Sequence, residues 1–380
     1  MVDKIEHGLR PQVDGGEETC EGLAACPGLG LERDTADLSA EVVEALLPEW
    51  GPVLEVLEGH AAAADIRSGA SSGGAATGLA LYGLEVGGMH GVLHTRSSRT
   101  DPIRNETVLS KSRDDLMSAV GSRYSPASPC AQLDRIEGAA GPCVFIGKPC
   151  DVAAARAASV MRPKLKANLG LTMNVFCAGT PSTGGTLALL TELGVGADPQ
   201  LERVTYRGDG WPGEAEVDGR NAQGTFSGHM SYAASWGILQ KFRPWRCYVC
   251  ADHTGEFADV SLGDPWYRDF SGEDPGRSLI VIRSDRGRRF VHAAIDAGYL
   301  VAHGVPSERL PDSQPSLRKA QASVFGRTTA CRSLGVPAPT FKGFGTRSNW
   351  IRHLTLRQKA QSIFGTLRRV FTRGLYRRVS

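Results

Sequence analysis

The stretch "GPCVFIGKPCDVAAARAASV" (residues 141–160) decides the fold, because it reads as a short apolar strand, a tight loop and an Ala-rich helix. The segment "LTMNVFCAGTPSTGGTLALLTELG" (residues 171–194) repeats this plan. Successive strand–loop–helix units are typical of α/β folds with a parallel or mixed sheet. The sequence therefore predicts the α/β class, with a mixed sheet built from such units.

Each of the two units carries a cysteine where its strand ends. Cys150 follows the strand "VFIG", and Cys177 follows "MNVF". In open α/β sheets, ligands gather outside the carboxyl ends of the strands, so neighbouring strands would place both sulfurs at one edge. Cys247 and Cys250, in "WRCYVC", can complete the site, since two residues between cysteines let both thiolates bind one metal centre.

Other interpretations of these cysteines stay open from the residues alone. A single cysteine after a strand is often a small buried hydrophobe, and one C-x-x-C fits structural zinc and inert or redox thiols about equally. One close pair plus two distant cysteines fits zinc poorly and an iron–sulfur cluster better. The remaining cysteines without such a context are predicted to be packing residues: Cys130, Cys143 and Cys331.

Composition narrows the class of protein. The chain has 380 residues, of which 41% are hydrophobic, enough for one large α/β domain or two smaller ones. No apolar stretch approaches the roughly 18–20 residues of a membrane-spanning helix. The first residues lack the apolar core of a secretory signal. We therefore expect a cytoplasmic protein with reduced cysteines.

The charge is distributed unevenly along the chain. Residues 341–380 contain ten Lys or Arg and no Asp or Glu, so the remainder, with 33 basic and 41 acidic residues, has a net charge of −8. Apolar residues in the tail step by three or four positions, which predicts an amphipathic helix with basic residues on its other face. The residues of this predicted apolar face are Leu356, Ala360, Ile363, Leu367 and Phe371.

Two interpretations of this basic helix stay open. It can bind an anionic membrane surface, which would place the protein at the periphery of the inner membrane, or it can pack on its own domain with solvated arginines. Nucleic-acid binding is disfavoured, because the body is acidic and no recognition motif is present.

Two segments before the strand–loop–helix units receive structural predictions. Residues 1–37 show no pattern and are predicted to be loop. "DLSAEVVEALLPEWGPVLEVLEGHA" (37–61) is predicted to be helical, with a break at Pro48.

A Gly/Ser stretch follows and leads into a predicted helix from Ala75 to Glu85. Ser71 and Ser72 can cap that helix, and its free backbone N–H groups suit a phosphate. An ordinary capped helix is the competing interpretation.

Two further stretches contain turns that can face a ligand. "GSRYSP" (121–126) presents a hydroxyl and an aromatic ring, or simply ends a helix. "YRGDGWPG" (206–213) is predicted to make tight turns, with Trp211 as a packing anchor or as a wall over a flat ring. The acidic residues after the cysteine pair are predicted to cap turns: Asp252, Asp259 and Asp264.

Together these motifs resemble the coenzyme F420 hydrogenase/dehydrogenase beta-subunit family. Related proteins include 7-hydroxymethyl chlorophyll a reductase, ferredoxin-dependent divinyl reductases and proteins encoded with polysaccharide-synthesis enzymes. The matching stretches run in family order from about residue 65 to residue 343. They are "IRSGASSGGAATGLALYGLEVG", "VGSRYSPAS", "VFIGKPCDVAAAR", "VFCAGTPS", "YRGDGWPG", "CYVCADHTGEFADVSLGDPW" and "ACRSLGVPAPTFKG".

The resemblance implies a flavoprotein that carries FAD and one four-iron–four-sulfur cluster. The family's cluster ligands fall on Cys150, Cys177, Cys247 and Cys250. Its flavin-binding residues fall on two segments, the Gly-rich loop and the turn before a proline. These residues are Ser72, Gly73, Gly74, Thr77, Ser122, Arg123 and Tyr124.

One departure from the family concerns the N-terminal region. Many relatives begin with a ferredoxin-like run of cysteines, whereas "TCEGLAACPGLGLE" contains only Cys20 and Cys26. Two thiols cannot supply the four ligands of a further cluster. We therefore expect one cluster, and interpret these two cysteines as loop residues or remnants of such a run.

The expected function is an oxidoreductase that passes electrons between a ferredoxin-like donor and an organic substrate: a sugar, a tetrapyrrole or a deazaflavin. "GKPCDVAAAR" and the long basic tail resemble the polysaccharide-linked members more than the hydrogenase subunits. A subunit without its own substrate and a zinc-stapled binding protein are the alternatives. The expected organisation is an N-terminal loop and helical segment (1–60), a cofactor-binding body (61–343) and a basic amphipathic tail (344–380).

Overall fold

The computed structural model describes residues 1–12, 20–33, 39–196, 199–222, 224–268 and 275–377. The strands, numbered along the chain, are β1 Val2–Lys4, β2 Gly8–Arg10, β3 Gly30–Glu32, β4 Glu55–Ala61, β5 Gly91–Ser97, β6 Asn105–Ser110, β7 Cys143–Gly147, β8 Leu169–Val175, β9 Gln200–Gly208, β10 Glu214–Asn221, β11 Gly224–Ser231, β12 Val260–Gly263, β13 Ser278–Ile282, β14 Leu300–Gly304 and β15 Thr340–Lys342.

Helices connect and cover these strands. They are α1 Cys20–Ala24, α2 Leu47–Trp50, α3 Ala64–Gly69, α4 Ala75–Glu85, α5 Arg113–Met117, α6 Asp134–Glu137, α7 Pro149–Met161, α8 Pro163–Asn168, α9 Thr183–Glu192, α10 Tyr232–Leu239, α11 Trp245–Tyr248, α12 Asp285–Asp296, α13 Arg309–Ser313, α14 Pro315–Ala322, α15 Val324–Ser333, α16 Thr346–His353 and α17 Leu356–Thr372. Within the described ranges, no helix is both long and apolar enough to cross a membrane.

The centre of the fold is an eight-stranded mixed sheet in the order β14–β4–β13–β12–β8–β7–β5–β6. Its middle strands β12, β8, β7 and β5 run parallel, while β14, β4, β13 and β6 join by antiparallel pairing. The chain passes through helices on its way from β5 to β7 and from β7 to β8, because neighbouring parallel strands need a crossover connection. The predicted α/β class with a mixed sheet is confirmed.

Both faces of this sheet are covered by helices. Val144 points into one core with Leu79 of α4 and Val291 of α12. The next residue, Phe145, points into a second core with Val152 of α7. Because successive strand residues face opposite sides, a strand covered on both faces is apolar throughout. This explains why "CVFI" reads as an uninterrupted apolar run.

A separate three-stranded antiparallel sheet, β11–β10–β9, packs against α9 and α10. Its strands are eight or nine residues long, and residues 209–213, from the stretch predicted to make turns, connect β9 to β10. Tyr206 is fully buried there, and its hydroxyl forms a hydrogen bond with Thr186 of α9.

The predicted helix over residues 37–61 is wrong. Residues 55–61 form β4, paired with β13 and β14 in the central sheet. Pro48 lies in the first turn of the short helix α2, where a missing N–H costs nothing, so it begins a helix instead of breaking one. A strand buried on both faces has an apolar run that periodicity cannot distinguish from a helix.

The loop predicted for residues 1–37 is also partly wrong. β1 and β2 form a hairpin, and β3 pairs in parallel with β15 near the other end of the chain. Such pairings between distant segments leave no periodic pattern in a three-residue strand. The parts of this segment at 13–19 and 34–38 lie outside the described residues.

The basic tail forms the predicted helix, α17, but the helix does not pack on the domain through the predicted apolar face. The helix packs on α15 through Ser362, Thr366 and Val370, whereas Leu356 is 84% exposed. A Cβ added at Gly326 of α15 would overlap the Ser362 hydroxyl. The two helices therefore approach closely through small residues, which a search for apolar periodicity overlooks.

Candidate functional site

The four cysteines singled out in the sequence line a single cavity of about 60 Å³. Cys150 lies in the first turn of α7, directly after β7, and Cys177 follows β8. β7 and β8 are neighbouring parallel strands, so the predicted shared edge is confirmed. Cys247 lies in α11, and Cys250 follows that helix. We call this space the four-cysteine cavity.

Gly179 allows the Cys177 loop to meet the segment that carries Cys247. Its φ of +120° lies in a region that side-chain-bearing residues rarely adopt. A Cβ at this position would lie 2.6 Å from Cδ of Arg243 and 3.1 Å from Cβ of Cys247. The approach of the two cysteine-bearing segments therefore requires glycine here.

Replacing Gly179 by alanine is expected to lower the iron content of the purified protein by at least about half, because backbone strain of about 1–3 kcal/mol adds to the clash with Arg243. Gly194, also at positive φ (+77°) but with no atom within 4 Å of an added Cβ, is the matched control. Iron per chain is the measurement. Equal iron content in Gly179→Ala, Gly194→Ala and the parent protein would show that iron binding does not require this close approach.

Burial changes the acidity of the thiols that line the cavity. Burial raises the pKa of Cys150 to about 12 and that of Cys177 to about 11. Metal binding would displace these protons, since thiolates are the ligating form. Among the described residues, no three His, Cys, Asp or Glu side chains are grouped closely enough to hold a single metal ion. A cavity larger than the roughly 10–15 Å³ of one water, lined by four thiols, fits a cluster better than one zinc ion.

Two residues missed in the sequence also line this cavity, Arg246 and His253. His253 is buried, and its Nδ1 donates to the carbonyl of Cys177 at 2.8 Å. Its Nε2 is buried without a hydrogen-bond partner among the described residues. The one indication in the sequence that His253 lies at this cavity is its place three residues after Cys250, in "CADH". That spacing alone does not distinguish His253 from a packing residue.

Segments from both ends of the chain cover the cavity. Pro27, Gly28 and Leu31 line it from the N-terminal side, and Pro339 and Phe341 line it from the C-terminal side. These segments are joined by the parallel pairing of β3 with β15.

A buried ion pair fixes this cover. Arg33 donates to Glu256 at 2.7 Å and to the carbonyl of Gly343 at 2.8 Å. Cys26 is a free, half-buried thiol beside Gly28, and the side chain of Cys20 lies outside the described residues. Cys143 and Cys331 are buried in apolar clusters and Cys130 packs against one, as predicted.

A second cavity, of about 290 Å³, lies beside the first, and we call it the cleft. This volume is near the lower end of the range for small-molecule sites. Six of the seven residues assigned to flavin by the resemblance line the cleft: Ser72, Gly74, Thr77, Ser122, Arg123 and Tyr124. The seventh, Gly73, has a φ of +70°, and a Cβ there would lie 2.8 Å from the backbone of Arg277.

The two flavin-assigned segments are joined by side-chain hydrogen bonds. The hydroxyls of Ser71 and Ser122 lie 2.7 Å apart, and Ser72 donates to Asp264 at 2.7 Å. The predicted capping of α4 by these serines is therefore wrong. The N-cap is Gly74, which leaves the N–H groups of that helix end without a side-chain acceptor at the cleft among the described residues.

Asp264 is the centre of a buried network beneath the Gly-rich loop. It accepts two hydrogen bonds from Arg207, at 2.8 and 2.6 Å, and one from the Trp211 ring nitrogen at 2.9 Å. Burial alone would raise the pKa of Asp264, but the Arg207 guanidinium holds it below its ordinary value. The predicted turn-capping role holds for Asp252, which accepts from the N–H of Gly255, but not for Asp264.

Hydrogen bonds and ring packing fix the turn that carries Arg123 and Tyr124. Arg123 donates to Asn105 at 2.8 Å and to the carbonyl of Val204 at 2.6 Å. Tyr124 packs against Trp236, with ring centres 5.4 Å apart.

Asp259 was also predicted to cap a turn, and this prediction is wrong. Its carboxylate instead binds the guanidinium groups of Arg156 and Arg286.

Trp211 serves as a packing anchor. It is buried and stacks on Trp266 with ring centres 5.7 Å apart. The interpretation of this ring as a wall over a ligand is not supported by that position.

The four-cysteine cavity and the cleft are adjacent. Thr180, three residues after Cys177, lines both of them. Lys148 and Asp151 line the cleft, while Pro149 and Cys150, between them in sequence, line the four-cysteine cavity. A group bound at the thiols would therefore lie next to a group bound in the cleft.

The chain is similar to known proteins. Two family models for the coenzyme F420 hydrogenase/dehydrogenase beta subunit match the chain, the N-terminal one over residues 56–133 and the C-terminal one over residues 142–308. The Coenzyme F420 hydrogenase subunit beta of Methanococcus voltae is 24% identical over 307 residues, covering 76% of this chain and 99% of that protein. The protein of the same name from Methanothermobacter thermautotrophicus is 21% identical over 303 residues, with the same coverage.

A solved structure shares the fold. A chain in the xenon-derivatised F420-reducing NiFe hydrogenase complex from Methanosarcina barkeri superimposes with a TM-score of 0.57 and 20% identity. The match covers 74% of this chain and 94% of that one. With the two family matches spanning more than half of its length, the chain belongs to the coenzyme F420 hydrogenase/dehydrogenase beta-subunit family, an oxidoreductase-related family of electron-transfer subunits.

Proposed function

We propose that this protein is an iron–sulfur flavoprotein oxidoreductase, with one four-iron–four-sulfur cluster on Cys150, Cys177, Cys247 and Cys250 and FAD in the cleft. The observation that carries the proposal is that Thr180 lines both cavities. When bound, such a cluster supplies single-electron transfer and a flavin supplies two-electron transfer. Adjacent sites for the two would link a one-electron donor to an organic substrate.

The residues of the chain have separate roles in this proposal. The four thiolates hold the metal centre, and the backbone N–H groups after Gly73 and Gly74 receive the anionic part of FAD at the start of α4. Ser122 and Asp264 fix the Gly-rich loop through Ser71 and Ser72. The cover formed by β3 and β15 keeps water away from the thiols.

The experiment that tests the proposal is an anaerobic reductive titration of the purified protein. We expect about three electrons per chain, one for the cluster and two for the flavin. Uptake of no electrons would contradict the proposal. Reoxidation by an added sugar nucleotide, tetrapyrrole or deazaflavin would then identify the class of substrate.

The proposed partners are a ferredoxin-like electron donor and one organic substrate. A deazaflavin is a candidate because the curated relatives are coenzyme F420 hydrogenase subunits. A sugar in polysaccharide biosynthesis is the candidate that the resemblance of "GKPCDVAAAR" and the basic tail favours. Activity on each is measured as substrate-dependent reoxidation of the reduced protein.

A second candidate function is an electron-transfer subunit without its own substrate. It is favoured by the similar chain having been solved within a hydrogenase complex. A tight partner that copurifies, with no reoxidation by any organic acceptor alone, would support this alternative.

We also propose that α17 binds an anionic membrane surface. The protein would then associate peripherally with the cytoplasmic face of the inner membrane. Phe364 and Phe371 are 68% and 63% exposed on the side of α17 away from α15. Arg357 and Arg368 are exposed beside them, and the tail carries no acidic residue. Exposed rings flanked by cations suit the boundary of an anionic lipid surface.

Replacing both Phe364 and Phe371 by serine is expected to reduce binding to vesicles of phosphatidylglycerol and phosphatidylcholine by about tenfold or more, because two aromatic side chains no longer leave water. Cosedimentation with the vesicles is the measurement. Exposed Val160 and Leu187, changed to serine in the same way, provide the control. Unchanged cosedimentation of the tail variant would reject a membrane role for these rings.

A further inference from the structure

Four arginine side chains surround the ring of Tyr248, and we call them the arginine cluster. The guanidinium carbons of Arg243 and Arg327 lie 5.0 and 5.8 Å from the ring centre. Those of Arg369 and Arg373 lie 5.6 and 5.3 Å away. The four come from the segment before α11, from α15 and from the end of α17. Cations grouped this closely repel one another, so their arrangement favours an external anion.

The charge of the arginine cluster is not neutralised within the described part of the chain. None of its members forms a salt bridge with a described carboxylate. Arg243 instead donates to the carbonyl of Ala178 at 2.7 Å, and Arg327 donates to that of Tyr248 at 2.6 Å. Burial, with the nearby charges of Arg369 and Arg243, lowers the pKa of Arg327 to about 10.

The arginine cluster lies beside two of the cysteine-bearing segments, because Tyr248 follows Cys247 and Arg243 bonds to the carbonyl of Ala178, next to Cys177. Tyr248 stands between Cys247 and Cys250 in the sequence, one peptide unit from the first. Trp245 stacks on Tyr248 with ring centres 5.8 Å apart and an angle of 20° between the rings. Arg246 is exposed and also lines the cavity itself. Positive charge and two aromatic rings therefore lie beside the segment that carries Cys247 and Cys250.

We propose that the arginine cluster, with Tyr248 and Trp245, is the docking surface for an acidic one-electron carrier protein that delivers electrons to the four-cysteine site. This inference rests on the proposed function and names the surface that its donor uses. Electron-transfer complexes are transient and bury less than about 1,200 Å², so a few side chains suffice. Complementary charge raises association rates by about 10- to 1,000-fold.

A carboxylate-rich protein surface fits this site for two reasons. Guanidinium groups bind carboxylates through paired charge-assisted hydrogen bonds. The acidic remainder of the chain would repel the same partner, so the arginines also select its orientation. A carrier bound there would face the segment that holds two of the four cysteines.

The test compares two charge reversals on one helix. Arg369→Glu with Arg373→Glu changes the arginine cluster, and Arg357→Glu with Arg368→Glu makes the same change in charge at exposed positions on another side of α17. Reduced acidic ferredoxin is the probe, and stopped-flow absorbance gives the second-order rate constant for reduction. Dithionite at high ionic strength, where surface charge is screened, checks that the site itself is intact.

We expect the first pair to lower the ferredoxin rate constant by at least about tenfold and to weaken its salt dependence, with the control pair within about twofold of the parent. Arg373→Gln, at an exposed position after α17, removes one charge without reversing it and should lower the ferredoxin rate constant by a smaller factor. An equal loss in the control pair, or no loss in the first pair, would overturn the proposal.

Binding of oxidised ferredoxin, measured by calorimetry, separates this inference from the proposed function. Binding needs no electron transfer. If ferredoxin binds the Arg369→Glu, Arg373→Glu variant more weakly than the parent, the docking surface is supported, even in a chain without iron. Equal affinity for the variant and the parent rejects it.

Discussion

Replacing Cys150 by serine is expected to reduce the iron of the anaerobically purified protein from about four atoms per chain to nearly none, because a four-iron–four-sulfur cluster requires four thiolate ligands. Cys150 lines the four-cysteine cavity from the first turn of α7. A serine hydroxyl is a poor replacement for a thiolate as a ligand of iron. Iron and sulfide analysis, together with the visible spectrum, measures the effect.

Cys130 provides a matched control for that substitution. Its thiol is also half-buried and donates to the carbonyl of Asp151, next to Cys150, but it packs against an apolar cluster. Cys130→Ser should keep its iron. If Cys150→Ser retained about four irons while Cys130→Ser lost them, the ligand assignment would be wrong.

Replacing Asp264 by asparagine is expected to give protein without flavin and to lower the free energy of unfolding by about 3–5 kcal/mol, since it leaves a buried cation without its counter-charge. The side chain of Arg207 is only 3% exposed. The same carboxylate holds Ser72 of the Gly-rich loop. Urea unfolding of the variant and the flavin released from it are the measurements.

An exposed ion pair supplies the control for this effect. Asp218 binds Arg203 at 2.8 Å on β9 and β10, where the two side chains are 31% and 51% exposed. Such pairs contribute about 0–1 kcal/mol, so Asp218→Asn should change stability little and leave the flavin in place. A loss in Asp264→Asn no larger than that in Asp218→Asn would show that the network does not support the cleft.

The part of the site that could be predicted from the sequence follows from local rules. Strands that end in cysteine, followed by helices, place Cys150 and Cys177 at one sheet edge, and the sheet pairing agrees. The helix Ala75–Glu85 is likewise predicted with the observed bounds. Both results depend on short segments whose pattern is decided by neighbours in sequence.

The remainder depends on contacts between distant segments. The sequence indicates a turn cap at Asp264, because nothing near it in sequence reveals the buried Arg207. Thr180 looks like an ordinary loop residue until the two cavities are seen to share it. For α17 the apolar pattern indicates one face, but the contact of Gly326 with Ser362 selects another. Periodicity reports apolar residues and not the shape of the surface that receives them.

The most direct test of the cluster and flavin assignment is the count of iron, sulfide and released flavin per chain in protein purified without oxygen. We predict about four irons, about four sulfides and about one FAD, with absorbance from both groups in the visible range. Colourless protein that contains zinc and no flavin would contradict the assignment and leave the four cysteines as a structural staple.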